Sequence, residues 1–173
     1  MALHVFERQV ARKVLISLLL TEQICIAAAQ SGDLPDASAA QMLTAVNAAR
    51  ATARSCGEAA MPPVVSLTWN ATLAQSATRH STDQAARKTM THRGADGSSV
   101  AERVARSGYE WRAVGENVYS ASWQAIAEEA VKAWLASPGH CRNLMSANFT
   151  SVGAGFADAG QQRFWTQVFA APR

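Results

Sequence analysis

Lysine-rich segments, runs of like charge and unbroken apolar stretches of about 20 residues are all missing from this 173-residue chain. Lysine occurs three times, the other basic residues are scattered arginines, and the formal net charge is +3. A balance this mild, with no basic run interleaved with aromatics, gives no ground for nucleic acid or anionic membrane as a partner, and no nucleic acid is expected. There is no CxxC, no HExxH and no phosphate-binding loop, so the chain carries neither a local zinc motif nor a nucleotide motif. Internal repeats are absent. Bulk is scarce too. Leu, Ile, Val and Phe together number 33 against 36 alanines, so over two-fifths of the 49% apolar residues are methyl-sized. Helices of this composition approach closely but offer few large anchors, and the five tryptophans must supply much of the buried area. The length fits one domain.

What is present at the N-terminus has the order of an export signal. Arg8, Arg12 and Lys13 precede the apolar run 14–20, and Ala27, Ala28 and Ala29 offer a small-residue cleavage site. Glu22 and Gln23 interrupt the apolar stretch and argue against a membrane span across it. The expectation is a signal peptide over 1–29, a polar linker over 30–37 and one secreted or periplasmic domain over 38–173. A cytosolic protein with an N-terminal helix is the alternative. Cleavage leaves 13 basic and 11 acidic residues, a net charge of +2, and two cysteines, Cys56 and Cys141. An even pair in an exported chain favours one disulfide over two buried thiols.

Periodicity places the elements. Met42, Val46, Ala49 and Ala53 recur at helical spacing and predict a helix running to Gly57. Asn47 and Arg50 lie beside its apolar stripe, placed for internal hydrogen bonds. After Pro62 and Pro63, the apolar residues Val64, Val65 and Leu67 lead to a helix capped by Asn70 and fading near Lys88. Its inner stripe is Leu73, Ala77, His80 and Gln84. Residues 90–97 form a loop, Ser99 and Glu102 make a capping box for a short helix that stops at Gly108, and 109–120 reads as irregular or partly extended. Ser122 caps an amphipathic helix whose buried side carries Ile126, Ala127, Ala130, Val131, Trp134 and Leu135. Ser137, Pro138 and Gly139 break it before a short helical segment, 140–145. The period then changes to two. Val152, Ala154 and Phe156, followed by Phe164, Thr166 and Val168, predict an antiparallel hairpin whose glycines mark close backbone approach. Helices followed by strands, without a βαβ repeat, give an α+β class.

Three histidines lie beyond the signal: His80, His92 and His140. His80, on an apolar stripe, reads as a satisfied, half-buried histidine and not a ligand. His92 and His140 sit in or beside glycine-containing loops, and Glu116 occupies a comparable non-helical segment between Gly115 and Asn117. Two imidazoles and a carboxylate supply three ligands for a divalent ion such as zinc and leave a water position open. The two 24-residue spacings match no local metal motif. Exposed loop side chains and a helix start are the plainer readings. Glu102 fits a helix cap better than a catalytic acid, and Trp134 and Trp165 fit the core.

Taken in order, WNATLAQSATRHSTD at 69–83, MTHRGADGSS at 90–99, GYEWRAVGENVY at 108–119, AWLASPGHCRNLM at 133–145, FTSVGAGFA at 149–157 and FWTQVFA at 164–170 resemble the CAP superfamily. These SCP-like, or pathogenesis-related-1-like, proteins have a compact bacterial form, and with VNAAR at 46–50 the resemblance covers residues 38–170. It implies a three-layer α-β-α sandwich with a small antiparallel sheet. It also implies a central cleft that in many members holds two histidines and two acidic residues, and in several binds zinc or another divalent cation. By motif, His92 is the first cleft histidine, Glu116 the acid of the GEN motif, and His140 the SPGH histidine of the bacterial form. This chain departs from the fuller pattern at Ser137, where a glutamate is expected, and at Phe164, where the second histidine is expected. The resemblance thus implies an exported, non-catalytic module for a small lipid-like ligand or a cell-envelope component, with a cleft able to take a divalent metal. The alternatives are a metal-assisted hydrolase of peptide or envelope substrates, using Glu116 and more weakly Glu102, and a structural or partner-binding extracellular domain.

Overall fold

A computed structural model describes residues 37–173; the expected signal peptide, and the linker up to residue 36, lie outside the described residues. Helix α1 (Ala37–Arg50) begins at the last residue of the expected linker and buries the predicted Met42, Val46 and Ala49. It stops at Arg50 rather than Gly57. The Arg50 carbonyl, which a longer helix would use internally, accepts instead from Val64 N at 2.9 Å. The chain turns into a small hairpin, β1 (Arg54–Cys56) and β2 (Ala59–Met61), with Gly57 in the left-handed region at φ +67°. The Asn47 amide clamps the returning segment at Leu67, donating to its carbonyl at 3.0 Å and accepting from its N–H at 2.8 Å.

Strand β3 (Thr68–Trp69) leads into α2 (Ala71–Arg87). Both ends of this helix are where local chemistry puts them. The Asn70 side chain accepts from Leu73 N, and Lys88 closes the helix in a left-handed conformation. Helix α3 (Val100–Arg106) carries the Ser99–Glu102 capping box. The segment expected to be irregular or partly extended is extended throughout, as a 12-residue strand, β4 (Trp111–Ser122). Ser122 therefore ends a strand and caps no helix. Helix α4 (Ala127–Ala136) starts after Ile126, which gives no side-chain cap and is exposed rather than buried. Helix α5 (Pro138–Leu144) has its proline in the first turn, where no N–H is needed. The hairpin β5 (Ser151–Ala159) and β6 (Gln162–Pro172) closes the chain.

The sheet order is β3-β5-β6-β4. β4, β6 and β5 pair antiparallel, but β3 runs parallel to β5 through Thr68–Ser151 and Trp69–Val152, so the expected antiparallel sheet is mixed at one short edge. Side chains of β6 alternate between two layers. Val168 and Ala170 pack with Leu73 and Ala77 of α2 and Val104 of α3. Trp165 and Phe169 pack with Met42 and Val46 of α1, Val131 and Trp134 of α4, and Leu144 of α5. The result is the α-β-α sandwich. Cys56 and Cys141 form the disulfide, tying the small hairpin to α5 across 85 residues; closing a loop of that order typically adds about 2–4 kcal/mol. No helix among the described residues is long and apolar enough to cross a membrane.

Candidate functional site

β4 is an edge strand between the helical layers, and because the strand is pleated, successive side chains near its middle reach the two layers in turn. Glu116 points toward α2 and α3, and Asn117 toward α5. The Glu116 carboxylate, only 2% exposed, meets three basic side chains. His92, in the loop after α2, donates its Nδ1–H to Oε1 at 2.9 Å. Arg103 of α3 donates Nη2–H to Oε2 at 2.5 Å. His80 of α2 lies with Nε2 4.0 Å from Oε1.

Each partner is held from behind. Arg103 also donates to the carbonyls of His92 at 3.1 Å and Ser98 at 2.8 Å, which fixes the loop that carries His92. His80 donates its Nε2–H to the Thr91 carbonyl at 2.8 Å, leaving on its buried Nδ1 a lone pair with no hydrogen-bond donor, 3.9 Å from Asp83 Oδ2. Gln84 spans the layers, accepting from Thr91 N at 3.0 Å and donating to Thr166 Oγ1 at 2.9 Å. On the other side of β4, the Asn117 amide donates to the His140 carbonyl at 3.2 Å and to Gln167 Oε1 at 3.2 Å. Asn143 donates to the Glu116 carbonyl at 3.1 Å and to Asn117 Oδ1 at 3.0 Å. These bonds seat the start of α5 so that the His140 ring lies 6.1 Å from that of His92.

The structure therefore brings His92 and Glu116 into direct contact and sets His140 beside His92. Glu102 stands apart. Its Oε2 accepts from Ser99 N at 2.7 Å and Ser99 Oγ at 2.8 Å, so it is a helix cap. Ser137 joins α4 to α5 without capping either by its side chain, and Phe164 is buried at the position expected for a histidine. Two members of the cluster escaped the sequence reading. His80, expected half-buried and satisfied, is fully buried with Nδ1 unbonded, and it also neighbours Glu116. Arg103 belongs to no motif, and its pairing with Glu116 arises only when α3 packs on β4. The donor types would suit a divalent ion, but both oxygens of Glu116 are already engaged. Among the described residues no group of three His, Cys, Asp or Glu is arranged to hold a metal.

Burial pushes the His80 pKa below its ordinary 6.5, opposed by the Glu116 carboxylate and reinforced by the Arg103 charge. His140 is lowered by burial and then by the nearby His92. The sign for stability follows. The native state binds fewer protons than the unfolded chain, so this contribution is full above pH 6.5 and is lost as pH falls through 6.5 toward the lower folded values. A second loss begins at lower pH, because hydrogen bonds from Ser98, Ser99 and Arg163 hold Asp96, Glu102 and Asp158 respectively below their ordinary range. Thermal unfolding at constant ionic strength should show the midpoint already falling between pH 7.5 and 5.5, above any carboxylate titration. A flat midpoint across that interval would contradict the burial-depressed histidines.

The family model described as CAP, cysteine-rich secretory protein family, matches residues 43–169. The uncharacterized protein YkwD of Bacillus subtilis (strain 168) is 35% identical over 98 residues, 57% of this chain and 37% of that protein. An extracellular protein containing a SCP domain from Bacillus anthracis str. Ames superposes with a TM-score of 0.64 at 25% identity, over 81% of this chain and 45% of that one. NaASP2, whose crystal structure was determined with Zn2+, shares the fold at a TM-score of 0.56 and 15% identity, over 79% of this chain and 83% of that one. The chain spans less than half the length of both bacillary relatives.

Proposed function

The chain belongs to the CAP, or cysteine-rich secretory protein, family, and from that premise we propose that it is a non-catalytic module that binds a small lipid-like ligand. It is a secreted or periplasmic protein, as befits its Cys56–Cys141 bridge and its extracellular bacillary relative. The observation that carries the ligand reading is a groove of about 820 Å³ at the β3–β5 edge of the sheet, the edge opposite Glu116. Met42, Trp69, Phe156 and Trp165 give it apolar walls, and the exposed Arg79 offers a cation to a polar headgroup. Volume and lining match what small-molecule sites use, mostly apolar area with a few polar groups to set orientation.

The polar cleft supports a non-catalytic reading. A hydrolase would ask Glu116 to activate water, whereas this carboxylate is buried and bonded to both His92 and Arg103. Zinc or another divalent cation, if taken up there, would draw on His92, Glu116 and His140. NaASP2, a protein of this fold, has a crystal structure determined with Zn2+.

The test is fluorescence titration with a naturally fluorescent polyene fatty acid, using wild type and Ala71→Trp. Ala71 lines the groove in the exposed first turn of α2, so the indole would occupy the groove without entering the core. Affinity should fall at least about tenfold, or ~1.4 kcal/mol. Equal affinity in the two proteins, or no saturable binding to wild type, would remove this assignment.

A further inference from the structure

Glu116 is a buried anion that already has a cation. We propose that Arg103 is the resident cation of the cleft, and that by neutralising Glu116 it sets the site against divalent metal ions. The proposal rests on reading His92, Glu116 and His140 as the metal donors. It concerns a residue that this reading does not include.

Three observations carry it. First, Arg103 holds Glu116 Oε2 at 2.5 Å while the His92 Nδ1–H holds Oε1 at 2.9 Å, so each oxygen already gives a lone pair to a donor, and on Oε2 that donor carries a full positive charge. Second, both members of the Arg103–Glu116 pair are shielded, with side chains 10% and 2% exposed. A charge pair this far from water is screened little by salt or solvent. Third, Arg103 is built in and not a passing surface residue. The carbonyls of His92 and Ser98 receive its other amino group, so the cation is fixed to the loop that carries the histidine. A divalent ion arriving between His92 and His140 would meet this fixed positive charge. It would also find a carboxylate whose negative charge is spent, whether Glu116 served as a direct ligand or oriented His92 through its Nδ1–H.

The consequence is unusual in sign. Removing a buried arginine from the cleft should improve metal binding, whereas a merely structural role for Arg103 would make binding worse by loosening the His92 loop. The experiment is calorimetric titration of zinc chloride into the folded protein. Wild type and His92→Ala come first; His92 is 57% exposed, so its replacement leaves the fold intact. The proposal expects zinc affinities within about threefold of each other. A wild type that loses tenfold or more on His92→Ala already holds metal well, and overturns the proposal while sustaining the donor set. Next, Arg103→Gln should gain about 10–100-fold in affinity, the range over which groups bonded to a ligand shift metal binding. Arg103→Lys, which keeps the charge, should gain little. The gain must vanish in the double variant with His92→Ala. No gain in Arg103→Gln, or a gain that ignores His92, overturns the proposal, the latter together with the donor set. If circular dichroism shows Arg103→Gln unfolded, the first comparison decides alone. None of these outcomes touches the fatty-acid titration, which reads the opposite edge of the sheet.

Discussion

Arg50→Met is expected to lower stability by about 3–5 kcal/mol, a large share of what a domain of this size holds. Arg50 is 1% exposed, and all four of its side-chain hydrogen bonds go to backbone carbonyls. Nε and Nη2 reach Val65 O at 2.9 and 2.7 Å, and Nη1 reaches Leu144 O at 2.6 Å and Ser146 O at 3.0 Å. Burial lowers its pKa, but a guanidinium keeps its proton throughout the range in which the protein is folded. Leu144 is the last residue of α5, so Arg50 supplies the donor that this helix end lacks and sets a positive charge at the negative end of its dipole. Methionine fills a similar volume and removes all four donors. The Leu144 carbonyl then stays buried without a partner, while Val65 and Ser146, nearer the surface, recover water and soften the loss. Lysine, with three donors at one point, should fall between the two. Urea unfolding at pH 7.5 gives the order Arg, Lys, Met in falling midpoint; a methionine variant within 1 kcal/mol of wild type would show the carbonyls to be satisfied some other way. Because α5 carries His140, the methionine variant should also disturb the polar cleft before the rest of the sheet.

The elements legible in the sequence are those whose signals are local. Asn70 and Ser99 cap their helices because a side-chain oxygen and an N–H three residues on meet within one turn. The β5–β6 hairpin is legible because Val152, Ala154 and Phe156, then Phe164, Thr166 and Val168, recur at period two along strands that are paired through consecutive residues. β4 is not. Its centre, VGENVYS, places Glu116 in one layer and Asn117 in the other, and both are buried by hydrogen bonds instead of apolar contact. No alternation survives that arrangement. Ser122 misled for a related reason. Its type suits a cap, but pairing with Gln162 keeps it in the strand. The end of α1 was hidden because Ala51 and Ala53 are good helix residues, and what stops the helix is a carbonyl used by Val64, distant in sequence. The cleft follows the same division. His92, Glu116 and His140 stood out by residue type and loop context. Arg103 did not, because its meeting with Glu116 depends on how α3 lies against β4, which no short pattern encodes.

A loss of comparable size is expected at Gly153. A Cβ there would lie 2.1 Å from Ala74 N and 2.5 Å from Leu73 C, the backbone of α2, where no side chain can swing aside. Alanine would force the helix off the sheet by more than an ångström, and the displacement would run along every bond that α2 makes across the interface. Ser81 Oγ to the Gly155 carbonyl at 3.0 Å and Gln84 to Thr166 at 2.9 Å would both stretch. Thr78 also sits close over Gly155, its Cα 2.8 Å from a Cβ built there, so the helix has little room to pivot about that end. Overpacking typically costs about 1–3 kcal/mol when side chains can adjust; with backbone on backbone, Gly153→Ala should cost about 3 kcal/mol or more and lower the melting midpoint by about 10 °C. Gly153→Val should yield no folded protein. Gly139, in α5, is the control: nothing lies within 4 Å of its added Cβ, so Gly139→Ala should be neutral or stabilising by about 0.4–1 kcal/mol. The alanine-rich face of α2 and the glycines of β5 are thus one device. Small residues on both sides let the helix approach closely enough for Ser81 and Gln84 to reach the sheet and for His80 to reach Glu116. A Gly153→Ala variant that melts within 2 °C of wild type would break that link. A variant that folds but has lost the histidine-dependent fall in its midpoint between pH 7.5 and 5.5 would confirm it from the side of the cleft.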